Sequence, residues 1–135
     1  MLDYQFKKEN TYVLPQAVYR QALYAVKDLT RLKRKLFYLK EEAKSLRSLD
    51  PSEPLVSGGS VSDLTGNIAT EITLTEERIA AIEKAFTKLP EKYRTGVREK
   101  LVHDVPYDQN AHCINTWKKW QQILIYHVAS ELNIL

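Results

Sequence analysis

The sequence predicts an all-α fold, a long antiparallel helical hairpin with a coiled-coil-like seam followed by a small helical unit at the carboxy terminus. Three observations lead there. Two long stretches repeat apolar residues at alternating spacings of four and three, the spacing of a helix seam. Glycine and proline are few, four and five, and most lie between residues 51 and 66 or beside 90 and 106. No segment alternates apolar and polar residues with period two, so nothing reads as a half-buried strand.

Pro15 opens the first stretch, where the missing N–H costs a helix nothing. Val18, Ala22, Ala25, Leu29, Leu32, Leu36, Leu39, Ala43 and Leu46 then form one continuous seam. A helix over 15–48 would be about 50 Å long, too long to bury its stripe alone. The segment DPSEPLVSGGSVSD ends it and reads as a flexible loop over about 50–62, with Asp63 as the expected amino-terminal cap of the next helix. The second seam runs Ile68, Ile72, Thr75, Ile79, Ile82, Phe86 and Leu89, and stops at Pro90, which disfavours helical geometry in the residue before it. Residues 16–49 carry nine Lys/Arg against three Asp/Glu, and residues 50–89 three against seven. Basic helix against acidic helix favours pairing of the two. The densest basic cluster, Arg31 to Lys35, reads as the solvated outer face of that pair or as a phosphate contact.

This divides the chain into an arm (1–14), a hairpin (15–89) and a carboxy-terminal unit (90–135). In the last, Tyr93, Val97 and Leu101 share a face of a helix over 91–103, and residues 103–110 break it. The final helix, 111–132, carries an apolar stripe of Ile114, Trp117, Leu124, Val128 and Leu132, with Trp120, Ile123 and Ile125 widening it. Both tryptophans therefore read as core. Asn115, Lys118, Lys119 and Gln122 share the opposite face. Asn and Gln can read base edges and Lys can hold phosphates, so this face is the candidate DNA-reading surface. Lys92, Arg94, Arg98 and Lys100 stand near in sequence for backbone contacts.

Enzymatic chemistry finds no foothold. The sequence holds no Gly-rich phosphate loop, no nucleophile elbow and no HExxH pair, and no cofactor is expected. His112 and Cys113 are adjacent and diverge on a helix, so no metal site is expected; they read as a surface histidine and a half-buried cysteine. His103 and His127 read as packed or capping imidazoles. One cysteine suits a reducing compartment. No apolar run is long enough to span a membrane and the amino terminus has no signal-like stretch, so a cytoplasmic protein is expected.

The stretch ERIAAIEKAFTKLPEKYRTGVREKLVHDVPYD, followed by NTWKKWQQILIYHVASELNIL, resembles RinA-type phage transcriptional activators, small regulators related to region four of sigma factors. The matching elements are Leu89-Pro90, Tyr93-Arg94, Asn115 to Trp120, Tyr126 with Val128-Ala129, and Leu132 to Leu135, with the long first helix and the SGGSVSDLTG segment before them. The resemblance covers most of the chain. It implies a helix-turn-helix-like carboxy-terminal unit, double-stranded DNA as partner and contact with RNA polymerase, while the nine seam positions of the first helix point to a homo-oligomer. One departure stands out. HDVPYDQN between Val102 and Ala111 is too short and proline-broken for the first helix of such a motif, so the unit is degenerate. The rival reading is a helical adaptor that binds partner helices without DNA.

Overall fold

The computed structural model describes residues 4–7, 10–47 and 60–135. The described residues form five helices and no strands: α1 (Gln16–Lys27), α2 (Leu29–Arg47), α3 (Ser60–Thr87), α4 (Glu91–His103) and α5 (Ile114–Glu131). The all-α expectation holds. Most of the expected loop, including Pro51, lies outside the described residues. No helix is long and apolar enough to cross a membrane among those described.

The chain divides into two compact units, Met1–Thr30 with Ala80–Leu135, and Arg31–Ile79. These boundaries differ from the expected ones at 14/15 and 89/90. The arm and α1 belong with α4 and α5 rather than apart from them. The single helix expected over 15–48 is two. Asp28 ends α1 with φ −87° and ψ 0°, its N–H donating to Tyr24 and Val26 carbonyls. Aspartate is a poor interior helix former, because its short carboxylate competes for backbone groups. Asp63, expected as a cap, falls inside α3.

In the larger unit α1 touches both α4 and α5. Its buried residues are therefore a wide arc, Tyr19, Ala22, Leu23, Ala25 and Val26, rather than a two-helix seam. Phe86 and Ile82 at the end of α3, with Val97, Leu101, Leu124 and Val128, fill the rest of the core. α4 ends on Asp104, in the left-handed region at φ 60°, where Val105 N–H reaches the Glu99 carbonyl at 3.0 Å. Aspartate tolerates that conformation better than most residues. Residues 104–113 then run without a helix. Trp117 Nε1 donates to the Asp108 carbonyl at 2.9 Å, and Tyr107 stacks on the Trp117 ring with centroids 5.0 Å apart.

In the smaller unit Leu32, Ile68 and Thr75 are buried along the two seams. Lys35 Nζ of α2 lies 3.1 Å from Glu71 of α3, and Lys40 Nζ 4.0 Å from Glu76. Such exposed pairs contribute at most about 1 kcal/mol each. They set which flanks meet rather than how tightly.

Candidate nucleic-acid interface

The site grows from two glutamines. Gln5, buried, uses its side-chain amide as a peptide group would. Its Nε2 donates to the Leu14 carbonyl at 3.0 Å and its Oε1 accepts the Leu14 N–H at 2.9 Å. This closes the arm into a loop. Gln122 of α5 holds that loop from the other side. Its Oε1 accepts the Phe6 N–H (3.0 Å) and Asn10 Nδ2 (3.2 Å), and its Nε2 donates to the carbonyls of Phe6 (3.0 Å) and Tyr12 (3.3 Å). The Tyr12 ring then meets Tyr126 edge-on at 5.2 Å and His127 at 5.9 Å.

Gln122 is thus a correction to the sequence reading. Expected on the solvent face, it is 1% exposed, and all of its amide is engaged by the arm. The run Gln121 to Ile125 is buried in full because α1, α4 and the arm close around the helix. Two further candidates serve the fold. Arg94 donates from Nε to the Phe86 carbonyl (3.0 Å) and from Nη2 to those of Leu89 (3.0 Å) and Thr87 (3.3 Å), satisfying carbonyls that the end of α3 leaves open. Arg98 grips the Glu83 carboxylate with both terminal nitrogens and lies over the Phe86 ring at 4.3 Å. Neither guanidinium is presented to a partner.

The remaining four stay at the surface around the start of α5. Asn115, Lys119 and Lys92 are exposed and Lys118 is half-buried. Lys92 Nζ is 5.1 Å from the Tyr93 ring, Lys119 Nζ is 5.8 Å from the Trp120 ring, and those two rings stack at 4.9 Å. One aromatic pair therefore carries both cations. Lys118 Nζ stands 5.9 Å from the Tyr4 ring of the arm. Among the described residues, none of these lysines has a carboxylate partner, whereas Lys84 and Lys88 share Glu131. An open pocket of about 520 Å³ lies between arm and helix, lined by Phe6, Asn10, Tyr12, Asn115, Thr116 and Lys119 among others.

Trp117 is buried and Trp120 half-buried, as the apolar stripe required. His112 and Cys113 exchange the places expected of them. The imidazole packs half-buried on Tyr93 at 4.7 Å, and the cysteine is exposed at the amino-terminal cap of α5. The Thr116 hydroxyl, 3.1 Å from its sulfur, holds that thiol below the usual range. No cluster of three metal-ligating side chains occurs among the described residues.

His127 gives this region a pH dependence. Burial and then the nearby Lys88 hold its imidazole below the ordinary value, against a smaller opposite pull from Glu131. The unfolded chain therefore takes up the proton first. The stability contributed by neutral His127 is complete above the ordinary imidazole value and is lost as pH falls from there through the lower value held in the fold. The melting temperature is expected to drop between pH 7 and 5, and His127→Phe to remove part of that drop.

Sequence reasoning marks off an arm over 1–14 but misses its docking on Gln122, the role of Gln5 and the structural use of Arg94 and Arg98. The arm's contact with Gln122 spans up to 116 positions, and nothing in the local pattern tells a capping or ion-paired arginine from a solvent-facing one. No family model matches the chain, and neither a curated protein nor a solved structure matches it.

Proposed function

We propose that this chain is a phage-type transcriptional regulator, similar to RinA-type activators, that contacts double-stranded DNA with the first turns of α5. The observation that carries this reading is the set of lysines with no carboxylate partner among the described residues, Lys92, Lys118 and Lys119, around exposed Asn115. Cations left unpaired at one end of a helix suit phosphate contacts, and the asparagine beside them suits a base edge. Gln122, Arg94 and Arg98 drop out of the reading surface. The unit is a degenerate helix-turn-helix in which α4 and α5 are joined by the helix-free segment 104–113.

The hairpin supplies oligomerisation or contact with RNA polymerase. Its antiparallel sense is supported by the flanks that pair. With Leu36 and Ile72 at heptad position a, Lys35 and Glu71 both fall at g, and Lys40 and Glu76 both fall at e. Antiparallel helices bring g to g and e to e, whereas parallel ones bring g to e. A second reading, a helical adaptor, draws on exposed Phe37, Tyr38 and Leu74, at 59%, 62% and 58% of their free areas.

A mobility shift at about 50 and 200 mM salt separates the two, because only phosphate contacts weaken steeply with salt. Lys118→Ala and Lys119→Ala are each expected to flatten the slope of log affinity against log salt by about one. Neither should change the melting temperature much. Arg94→Ala and Arg98→Ala should do the reverse, lowering stability and leaving the slope alone. A parent protein that binds no DNA at low salt sinks the proposal and leaves the adaptor. Light scattering on the same samples, reading a dimer or larger, checks the oligomer.

A further inference from the structure

Beside the surface just described, the segment joining α4 to α5 forms one wall of a separate pocket of about 420 Å³. Lys100 of α4 and Lys118 of α5 both line it, with Pro106, Tyr107, Gln109 and Ile114 between them and Gln121 behind. No carboxylate lines it among the described residues. Of the two carboxylates next to lining residues in sequence, Glu99 and Asp108, neither lines the pocket, and Asp108 is turned to its own turn, its Oδ1 accepting the Asn110 N–H at 3.0 Å. Neither lysine has an ion-pair partner among the described residues, and the Lys100 ammonium stands 5.9 Å from the Tyr107 ring centroid. The Tyr107 hydroxyl is turned inward and donates to Gln121 Oε1 at 2.7 Å. Burial, and then Tyr19, hold that phenol well above its usual range, so it brings no negative charge to the pocket at neutral pH.

We infer that this pocket seats one phosphate ester, held between Lys100 and Lys118 with the Gln109 amide as a neutral donor. Lys100 and Lys118 border this pocket from separate helices, and no acid lines it among the described residues, so an anion seated there meets two cations and no opposing carboxylate. The volume exceeds that of a phosphate alone and leaves room for the sugar to which it is attached. With the DNA reading above, on which this assignment of the source rests, the ester is a backbone phosphate next to the one met by Lys119. A free nucleotide carries the same chemistry. Lys100 then becomes a DNA contact contributed by α4, at a position outside the polar face of α5.

The test uses the full chain, its Lys100→Gln and Lys119→Gln variants, a short duplex, and a deoxynucleoside monophosphate. The expected result has two parts. Lys100→Gln flattens the salt dependence of duplex binding by about one ion, with the melting temperature close to that of the parent. In amide NMR spectra of the parent, the mononucleotide shifts Tyr107, Gln109 and Ile114, and Lys100→Gln abolishes those shifts. If the mononucleotide leaves these amides unmoved and Lys100→Gln binds the duplex as the parent does, the pocket is not a phosphate seat. A loss with Lys119→Gln in that case preserves the DNA reading alone. If the parent binds no duplex but the mononucleotide shifts survive as described, the pocket stands with a free ester as its ligand and the DNA reading falls. The parent titration decides the matter even if Lys100→Gln folds poorly.

Discussion

Gly96→Ala is expected to lower the melting temperature by roughly 5 °C, although alanine is the better helix former. Gly96 lies inside α4 with ordinary helical backbone, so no turn or positive φ explains a glycine there. A Cβ built at this position falls 2.6 Å from Cζ3 of Trp117 and closer still to Cη2. The indole has nowhere to go. Tyr107 stacks on it at 5.0 Å, Tyr93 meets it edge-on at 5.9 Å, and its Nε1 is tied to the Asp108 carbonyl. Moving the ring breaks that bond and the stack together. Over-packing of this kind costs about 1–3 kcal/mol or somewhat more, against a helix-propensity gain of at most about 1 kcal/mol. Thermal unfolding followed by circular dichroism measures the net. An alanine variant as stable as the parent would show that α4 and α5 part easily, and the close approach would then be no constraint. Lys119→Ala, nearby on α5 but outside the clash, is the control that should melt with the parent.

How much of this was legible in the sequence follows from the range of each force. Helix ends fixed by covalent geometry were readable: Pro15 lies at the start of α1 and Pro90 at the start of α4, each in its expected place. So was the apolar stripe of α5, because Trp117, Leu124 and Val128 repeat at helical spacing and all three are buried. The break at Asp28 was hidden, since the heptad runs through it without a missing apolar residue. The polar face of α5 was misjudged for a different reason. Helical spacing says which residues share a face but not what covers that face, and Gln122 is covered by residues more than a hundred positions earlier. The same holds for Arg94 and Arg98. A cation in a sequence looks alike whether it faces solvent or caps the preceding helix.

Gln122→Ala separates the sequence reading from the structural one most sharply. As a base-reading residue on an open face, its loss would relax discrimination between DNA sites and leave the melting temperature where it was. As the clamp of the arm, its loss strips partners from the Phe6 N–H, the Phe6 and Tyr12 carbonyls and the Asn10 amide at once. Asn10 Nδ2 still donates to the Phe6 carbonyl at 2.8 Å, so the Phe6 N–H and the Tyr12 carbonyl are the two groups left open, each costing about 1–3 kcal/mol if buried and uncompensated. The arm lies at the surface, so water can reach part of it once loosened. We expect a net loss of about 2–4 kcal/mol, taken mainly as detachment of the arm. Amide hydrogen exchange reads this directly: Phe6 and Tyr12 should lose protection, whereas Val97 and Leu124 in the core keep theirs. Gln122→Glu refines the assignment, because a carboxylate still accepts the Phe6 N–H but faces two carbonyls without a proton to give them. It should release the arm nearly as fully as alanine does. Gln5→Ala should give a smaller loss on the same amides, and the double variant should fall short of the sum, since both glutamines hold one loop. Unchanged protection at Phe6 and Tyr12 in Gln122→Ala would return this residue to the open face that helical spacing assigned it.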